Sequence, residues 1–216
     1  MTESNTKIQI DYLWDSGIQQ LDCQPDENQL SQLKDYVALL NRWNKTYNLT
    51  AVREIRDMIP LHIFDSLVVA ELIKGNNCLD VGSGAGLPII PLAIMQPERK
   101  FVALDTNGKK TRFIQQAVIE LGLNNVEVVQ ARVENWQADV KFDAIISRAF
   151  ASIHDFVSSS AMHLTENGVL YAMKGQFPDA EIQYLPKGFV LHKTQQLNVP
   201  YIDGKRHLLV IRKNQG

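Results

Sequence analysis

The chain is poor in cysteine, in long apolar runs and in net charge, and each shortage removes a class of protein. Two cysteines in 216 residues, Cys23 in a polar stretch and Cys78 opening an apolar one, supply neither a disulfide framework nor a cysteine-based metal site, and no metal is expected. The longest apolar run, 87–95, is interrupted by Pro88 and Pro91 and is too short to cross a bilayer, so no membrane association is expected. The opening Met-Thr-Glu-Ser-Asn-Thr-Lys has no apolar signal core, and cytoplasmic location is the expectation. A formal net charge of -2 argues against a generic polyanion binder, yet the charge is uneven along the chain. Arg42, Lys45, Arg53 and Arg56 are opposed locally only by Glu54 and Asp57, and Lys205-Arg206 and Arg212-Lys213 cluster near the C-terminus. Such runs are more often a solvated face than a binding one.

What is present is 45% hydrophobic residues in a pattern that changes once. Three helices are expected first, over 7–21, 26–44 and 55–73, the second with Leu30, Leu33, Val37 and Leu40 at helical spacing. These define an N-terminal helical cap, 1–75, ahead of a second unit, 76–216, with the two expected to pack together. From there short apolar runs alternate with amphipathic segments. Strands are expected at 78–81, 101–105, 126–130, 142–147 and 168–173, with helices from about 87, over 107–121 and near 153–163. Repeated β-α implies a parallel sheet covered on both faces. The last two apolar runs, 189–197 and 207–212, are joined through the turn-rich Pro200-Tyr201-Ile202-Asp203-Gly204, which reads as an antiparallel hairpin. The fold class is therefore α/β, a mostly parallel sheet with a C-terminal antiparallel hairpin, the arrangement of Rossmann-like class I methyltransferases.

The most informative stretch is Leu79-Asp80-Val81-Gly82-Ser83-Gly84-Ala85-Gly86-Leu87-Pro88. Glycines after a strand let backbone approach a nucleoside closely, since no Cβ intervenes. A dinucleotide fold uses a similar turn to seat a pyrophosphate, so the loop alone admits a nicotinamide or flavin cofactor. Asp80 discriminates, because an acid two positions before Gly82 repels a pyrophosphate and suits a cation. S-adenosylmethionine, with a sulfonium, an ammonium and no phosphate, fits. Asp80 could otherwise brace the loop or cap a helix. Asp105 ends the next apolar run about 20 residues on, the usual place for a ribose-hydroxyl acceptor in either cofactor class.

In open α/β sheets ligands lie beyond the carboxyl ends of the strands. Val133-Glu134 follows the third strand, where the adenine of such a cofactor is commonly held, although Glu134 also suits a helix N-terminus. The fourth strand ends in Ser147-Arg148-Ala149-Phe150, not in the N/D-P-P-Y/F turn of exocyclic-amine methylases, and neither cysteine falls where C5-pyrimidine methylation needs a nucleophile. Methylation of a ring nitrogen such as guanine N7 needs no general base and rests on in-line positioning. Arg148 is the candidate to organise cofactor or substrate, with Phe150 available for stacking, and Lys174 to meet guanine O6 or a phosphate. A salt-bridged structural arginine and an exposed strand-end lysine are the plainer readings of the two cations. Trp43 and Tyr47, set among cations, suit stacking on unpaired bases or anchoring of the cap, and His62 reads more readily as a packed histidine than as a ligand-binding one.

Taken together, Trp43-Asn44-Lys45-Thr46-Tyr47-Asn48-Leu49-Thr50, His62-Ile63-Phe64-Asp65-Ser66-Leu67, the 79–88 loop, Ile146-Ser147-Arg148-Ala149-Phe150-Ala151 and Met173-Lys174-Gly175 resemble the bacterial 16S rRNA guanine-N7 methyltransferase family, also called glucose-inhibited division protein B. The resemblance spans nearly the whole chain. It implies N7 methylation, with S-adenosylmethionine, of a guanosine in the decoding-region loop of 16S rRNA, and hence 16S rRNA or the small ribosomal subunit as partner. By the family pattern Gly82, Leu87, Val133, Glu134 and Arg148 hold the cofactor, joined by Asp80, Gly84 and Asp105 from the reading above. Arg148 and Lys174 are the positioning residues. One departure is Ala85, where many members have proline. A methyltransferase for another substrate, or a non-catalytic cofactor- or RNA-binding regulator, is the alternative; the oligomeric state is not legible.

Overall fold

The computed structural model describes residues 3–148, 150 and 152–214, with side chains from residue 8 onward. Its frame is one seven-stranded sheet in the order β3-β2-β1-β4-β5-β7-β6. The strands are β1 Asn77–Val81, β2 Lys100–Asp105, β3 Val126–Gln130, β4 Phe142–Ser147, β5 Leu164–Lys174, β6 Phe189–Leu197 and β7 Arg206–Lys213. β1 to β5 run parallel, while β7 is antiparallel to both β5 and β6, as the hairpin reading expects. Strand order reverses at β1, which pairs with β2 on one side and β4 on the other. Crossovers leave in opposite directions there, and the crevice beyond the strand ends is the natural ligand position.

Strand periodicity divides the core into two layers. Cys78, Phe101, Ala103, Ala144, Ile146 and Tyr171 join one hydrophobic cluster with the N-terminal helices. Leu79, Val81, Val102, Leu104, Ile145 and Leu170 join the opposite cluster with Phe156 and Val157 of a later helix. Asp80, between Leu79 and Val81, therefore projects toward the cap.

The helices are α1 Glu3–Ile18, α2 Glu27–Tyr47, α3 Ile55–Met58, α4 Asp65–Leu67, α5 Ile89–Met95, α6 Gly108–Glu120, α7 Ile153–Ser160 and α8 Asp179–Ile182, the last not anticipated from sequence. A capping box starts α2: Gln29 N donates to Asp26 Oδ1 at 2.8 Å and Asp26 N donates to Gln29 Oε1 at 3.0 Å. Further along, α2 reaches into the sheet layer. Gln32 Nε2 donates to the Leu121 carbonyl at 2.8 Å, at the end of α6, and the Tyr36 hydroxyl donates to the Ala85 carbonyl at 2.5 Å. The cap shares one hydrophobic cluster with α5 and α6.

The single helix expected over 55–73 is instead broken. A π-helical stretch, Ile59–Phe64, separates α3 from α4, and turns follow through residue 72. Pro60 has no N–H to continue an α-helical ladder, and the Asp65 N–H reaches back to the Pro60 carbonyl, one residue further than an α-turn allows. The wider turn carries Leu61 and Asp65 over the strand ends, where they meet Arg148 just past β4 and, for Asp65, Arg206 at the start of β7.

Gly17 is the tightest point between α1 and this segment, since a Cβ there would lie 2.2 Å from the Phe64 ring. Phe64 is fully buried and packs edge-on against Trp14 at 5.9 Å, so it cannot swing away freely. Gly17→Ala is expected to destabilise the protein by about 1–2 kcal/mol despite the better helix propensity of alanine. A urea-unfolding midpoint at or above that of the unsubstituted protein would refute this packing account.

Candidate functional site

The glycine loop leaves β1 with Gly82, Gly84 and Gly86 all at positive φ (76°, 60° and 83°). These glycines have different reasons. A Cβ on Gly86 would strike Ile90 at 2.7 Å, so that glycine allows close helix packing. On Gly84 the nearest atoms would be 3.9 Å away, so its bare backbone faces open space a ligand can occupy. The loop is pinned from outside: Gly82 N and Ser83 N donate to the Leu104 carbonyl at 2.8 and 3.1 Å, and Gly84 N to Asp105 Oδ2 at 2.8 Å.

Asp80 lies under this loop with no exposed surface, and neither carboxylate oxygen has a hydrogen-bond donor. Ser83 Oγ donates to its main-chain carbonyl instead, at 3.0 Å. Burial pushes the Asp80 carboxyl up to about 8, against smaller opposing pulls from the nearby Ser83 hydroxyl and then from Arg148. A buried acid without donors is complementary to a cationic group, and it would repel a pyrophosphate. The residues present thus fit S-adenosylmethionine better than a dinucleotide.

Asp105 is also buried, with Oδ2 on Gly84 N and Oδ1 accepting from Asn107 N at 2.8 Å, so it braces the loop as well as ending β2. Leu87 has its side chain in the cap-side core, and its N–H closes the loop by donating to the Ser83 carbonyl at 2.9 Å. Val133 is buried on the other face, its carbonyl accepting from His163 Nε2 at 2.9 Å, while Glu134 is exposed.

Arg148 and Lys174 meet in a cleft of about 370 Å³ at the ends of β4 and β5. Of the other residues that line it, His62 and the Met173-Lys174-Gly175 motif stood out in the sequence, whereas Asp65, Arg206 and His207 were not expected as site residues. Arg148 Nη1 donates to Asp65 Oδ2 at 3.1 Å and to the Leu61 carbonyl at 3.3 Å, and Arg206 Nε lies 3.4 Å from Asp65 Oδ1. One buried carboxylate thus faces two guanidiniums. The plainer reading of Arg148 as a salt-bridged arginine describes its contacts, yet its side chain is 28% exposed toward the cleft, and it acts electrostatically on both Asp80 and His62. Lys174 is not an exposed strand-end lysine: Nζ donates to the Phe150 carbonyl at 3.2 Å and pairs with Glu181 Oε2 at 3.2 Å.

His62 is buried, with Nε2 2.9 Å from Thr50 Oγ1, and burial followed by Arg148 pushes it down to about 4, so it is neutral near pH 7. Trp43 packs edge-on against Phe113 of α6 at 5.7 Å, and the buried Asn44 receives Thr50 N at 2.9 Å and donates to the Val52 carbonyl at 2.9 Å. That N-terminal motif anchors the cap. Tyr47 remains half-exposed against Trp43. Tyr36, whose hydroxyl holds the glycine loop, carried no signal beyond a polar residue in a helical pattern, and Asp65 stood in the 62–67 motif without a role assigned to it. Ala149 and Ala151 lie outside the described residues.

Sheet order, glycine loop and buried strand-end acid define a Rossmann-like class I methyltransferase. Solved structures agree on the fold: a ribosomal protein L11 methylase from Lactobacillus delbrueckii subsp. bulgaricus matches with a TM-score of 0.54 at 18% identity, covering 70% of this chain and 77% of its own. TYW2 of M. jannaschii, solved in complex with AdoMet, matches at 0.55 and 19% identity, covering 71% and 76%. The chain belongs to the GidB family, rRNA small subunit methyltransferase G, whose model matches residues 29–209. Ribosomal RNA small subunit methyltransferase G of Shewanella oneidensis is 50% identical over 185 residues, 86% of this chain and 90% of the relative, and that of Shewanella sp. (strain W3-18-1) is 51% identical over the same shares. Among the described residues no helix is long and apolar enough to cross a membrane, and no His/Cys/Asp/Glu group could hold a metal ion.

The raised Asp80 gives a pH signature. A cationic ligand favours the ionised carboxylate, so binding must expel a proton below about pH 8. The ratio of wild-type to Asp80→Asn affinity for S-adenosylmethionine is expected to rise by up to about tenfold per pH unit from pH 6 and level off above about 8; titration of the ligand's own ammonium cancels in the ratio. Calorimetry at pH 6, 7, 8 and 9 checks this, and a flat ratio contradicts it.

Proposed function

We propose that this chain transfers a methyl group to N7 of a guanosine in the decoding-region loop of 16S rRNA, with the strand ends around β1 as cofactor seat and the adjoining cleft as base site. It is an S-adenosylmethionine-dependent rRNA methyltransferase by family, which leaves a methyltransferase for another substrate or a non-catalytic regulator without support. The single observation carrying the residue-level reading is the fully buried, donorless Asp80 beneath a bare glycine loop, with the cationic cleft next to it. Asp80, Gly82, Gly84, Leu87, Asp105, Val133 and Glu134 would hold the cofactor, which when bound supplies an electrophilic methyl on sulfonium. Arg148 spans both regions and Lys174 closes the base side.

The side chains around the cleft suit a nucleophile that has no proton to lose. Asp65 is committed to two guanidiniums, Ser147 Oγ donates to the Val81 carbonyl at 2.7 Å, and a histidine held near 4 is a poor base. Guanine N7 attacks through a ring lone pair, so catalysis reduces to alignment and exclusion of water. Residues 1–75 act as the cap that fixes the loop, 76–216 as the methyltransferase domain, and the partner is 16S rRNA or the small subunit in the cytoplasm.

Methyl transfer assayed in parallel on protein-free 16S rRNA and on small subunits, with the product mapped by nuclease digestion and mass spectrometry, is expected to give 7-methylguanosine at one position. Label on another atom, or none on either substrate, overturns the reading. Gly82→Asp, which puts a side chain and a charge into the ligand space, is expected to abolish cofactor binding by calorimetry with the circular dichroism spectrum intact; retained binding places the cofactor elsewhere.

A further inference from the structure

We propose that Arg206 is a phosphate-binding residue: with His207 beside it, it holds a phosphodiester of the substrate RNA next to the base undergoing methylation, and Asp65 sets its guanidinium for that task. This rests on the reading of the chain as an RNA methyltransferase.

The lining of the cleft holds three cations, Arg148, Lys174 and Arg206; Lys174 is paired with Glu181 just outside it, and the two arginines share one acid, Asp65. Arg206 opens β7, and its neighbour His207 pairs across the ladder with Lys174 at the end of β5. Lys174 and His207 therefore leave adjacent strands side by side. Asp65 takes the Nε edge of Arg206, at 3.4 Å, Nη1 makes one long bond to the Lys205 carbonyl at 3.5 Å, and the side chain keeps 29% of its surface. An arginine anchored on one edge presents the rest of a planar fork of N–H donors, which matches phosphate oxygens in a way a lysine does not.

Glycines flank that fork. A Cβ on Gly175 would sit 3.6 Å from Arg206 Nη1, and one on Gly204, at φ +149°, would sit 4.0 Å away. Bare backbone on both sides leaves room for a nucleic-acid backbone to come close. Among the described residues the lining contains no Phe, Tyr or Trp, and its two rings, His62 and His207, are buried, so a phosphate is the better occupant of the Arg206 end. His207 adds an unsatisfied group: it is 7% exposed, and its Nδ1 has no hydrogen-bond partner among the described residues.

The alternative role for Arg206 is purely structural, as counter-ion to buried Asp65, and a charge series separates the two. Steady-state methyl transfer to small subunits is followed over a salt series for wild type, Arg206→Gln and Arg206→Lys, with cofactor affinity measured alongside. Arg206→Gln is expected to raise KM for the RNA substrate about fivefold or more, to leave kcat and cofactor affinity within about twofold, and to flatten the log–log salt dependence of kcat/KM by about 0.7–0.9, one phosphate contact. Arg206→Lys, which keeps the charge, is expected to restore the salt slope. An unchanged slope in Arg206→Gln, a loss of cofactor affinity or kcat in place of RNA affinity, or a lysine variant as impaired and as flat as the glutamine one overturns the phosphate assignment while leaving the enzyme's function standing. Absence of any transfer by wild type overturns the functional reading and this inference with it.

Discussion

The structure depends on how the turn after β1 is held from outside itself. Two loop N–H groups donate to the Leu104 carbonyl, a third to the Asp105 carboxylate, and the loop's Ala85 carbonyl is capped by Tyr36. Each neutral hydrogen bond adds only about 1 kcal/mol net, and the one to the carboxylate somewhat more, but together they remove the freedom that three positive-φ glycines would otherwise give the loop. β2 and the cap helix α2 thus fix the loop jointly. Its shape, the space over Gly84 and the dry environment of Asp80 beneath it all follow from that clamp.

A second constraint organises the neighbouring cleft. Asp65 is a buried acid between two arginines that come from distant strands, Arg148 at the end of β4 and Arg206 at the start of β7. Removing one partner from such an arrangement leaves a buried charge exposed to a low dielectric, which is costly. The same arrangement keeps both guanidiniums from wandering over the surface. Stability and preorganisation of the cationic cleft are therefore the same interaction, made possible by the π-helical turn that brings Asp65 over the ends of β4 and β7.

Much of this was legible beforehand. Alternation of apolar runs with amphipathic helices gave the parallel sheet, and the turn-rich 200–204 connection gave the closing hairpin. The glycine loop and Asp80 stood out because glycine and a charged residue in an apolar strand are locally unfavourable and need a reason. The helix expected over 55–73 was misjudged, since periodicity does not distinguish an α-turn from a π-turn and Pro60 was the only local cue. Trp43 could have been a stacking platform or a core anchor; packing against Phe113 decided for the anchor. Tyr36 was unmarked, and Asp65 in the 62–67 motif and Arg206 in a basic pair had no legible role, because the partner of each lies far along the chain.

The sequence by itself determined the fold class, the cofactor loop and the family, because each is written in short-range periodicity or contiguous motifs. Only the tertiary structure decided which charges meet. It brought Asp65, Arg148, Lys174 and Arg206 together from four parts of the chain, left Asp80 without a donor, and packed Trp43 against Phe113. The physical reason is that charge pairing and desolvation depend on distance in space, and a chain sets those distances only after its sheet has ordered the strands.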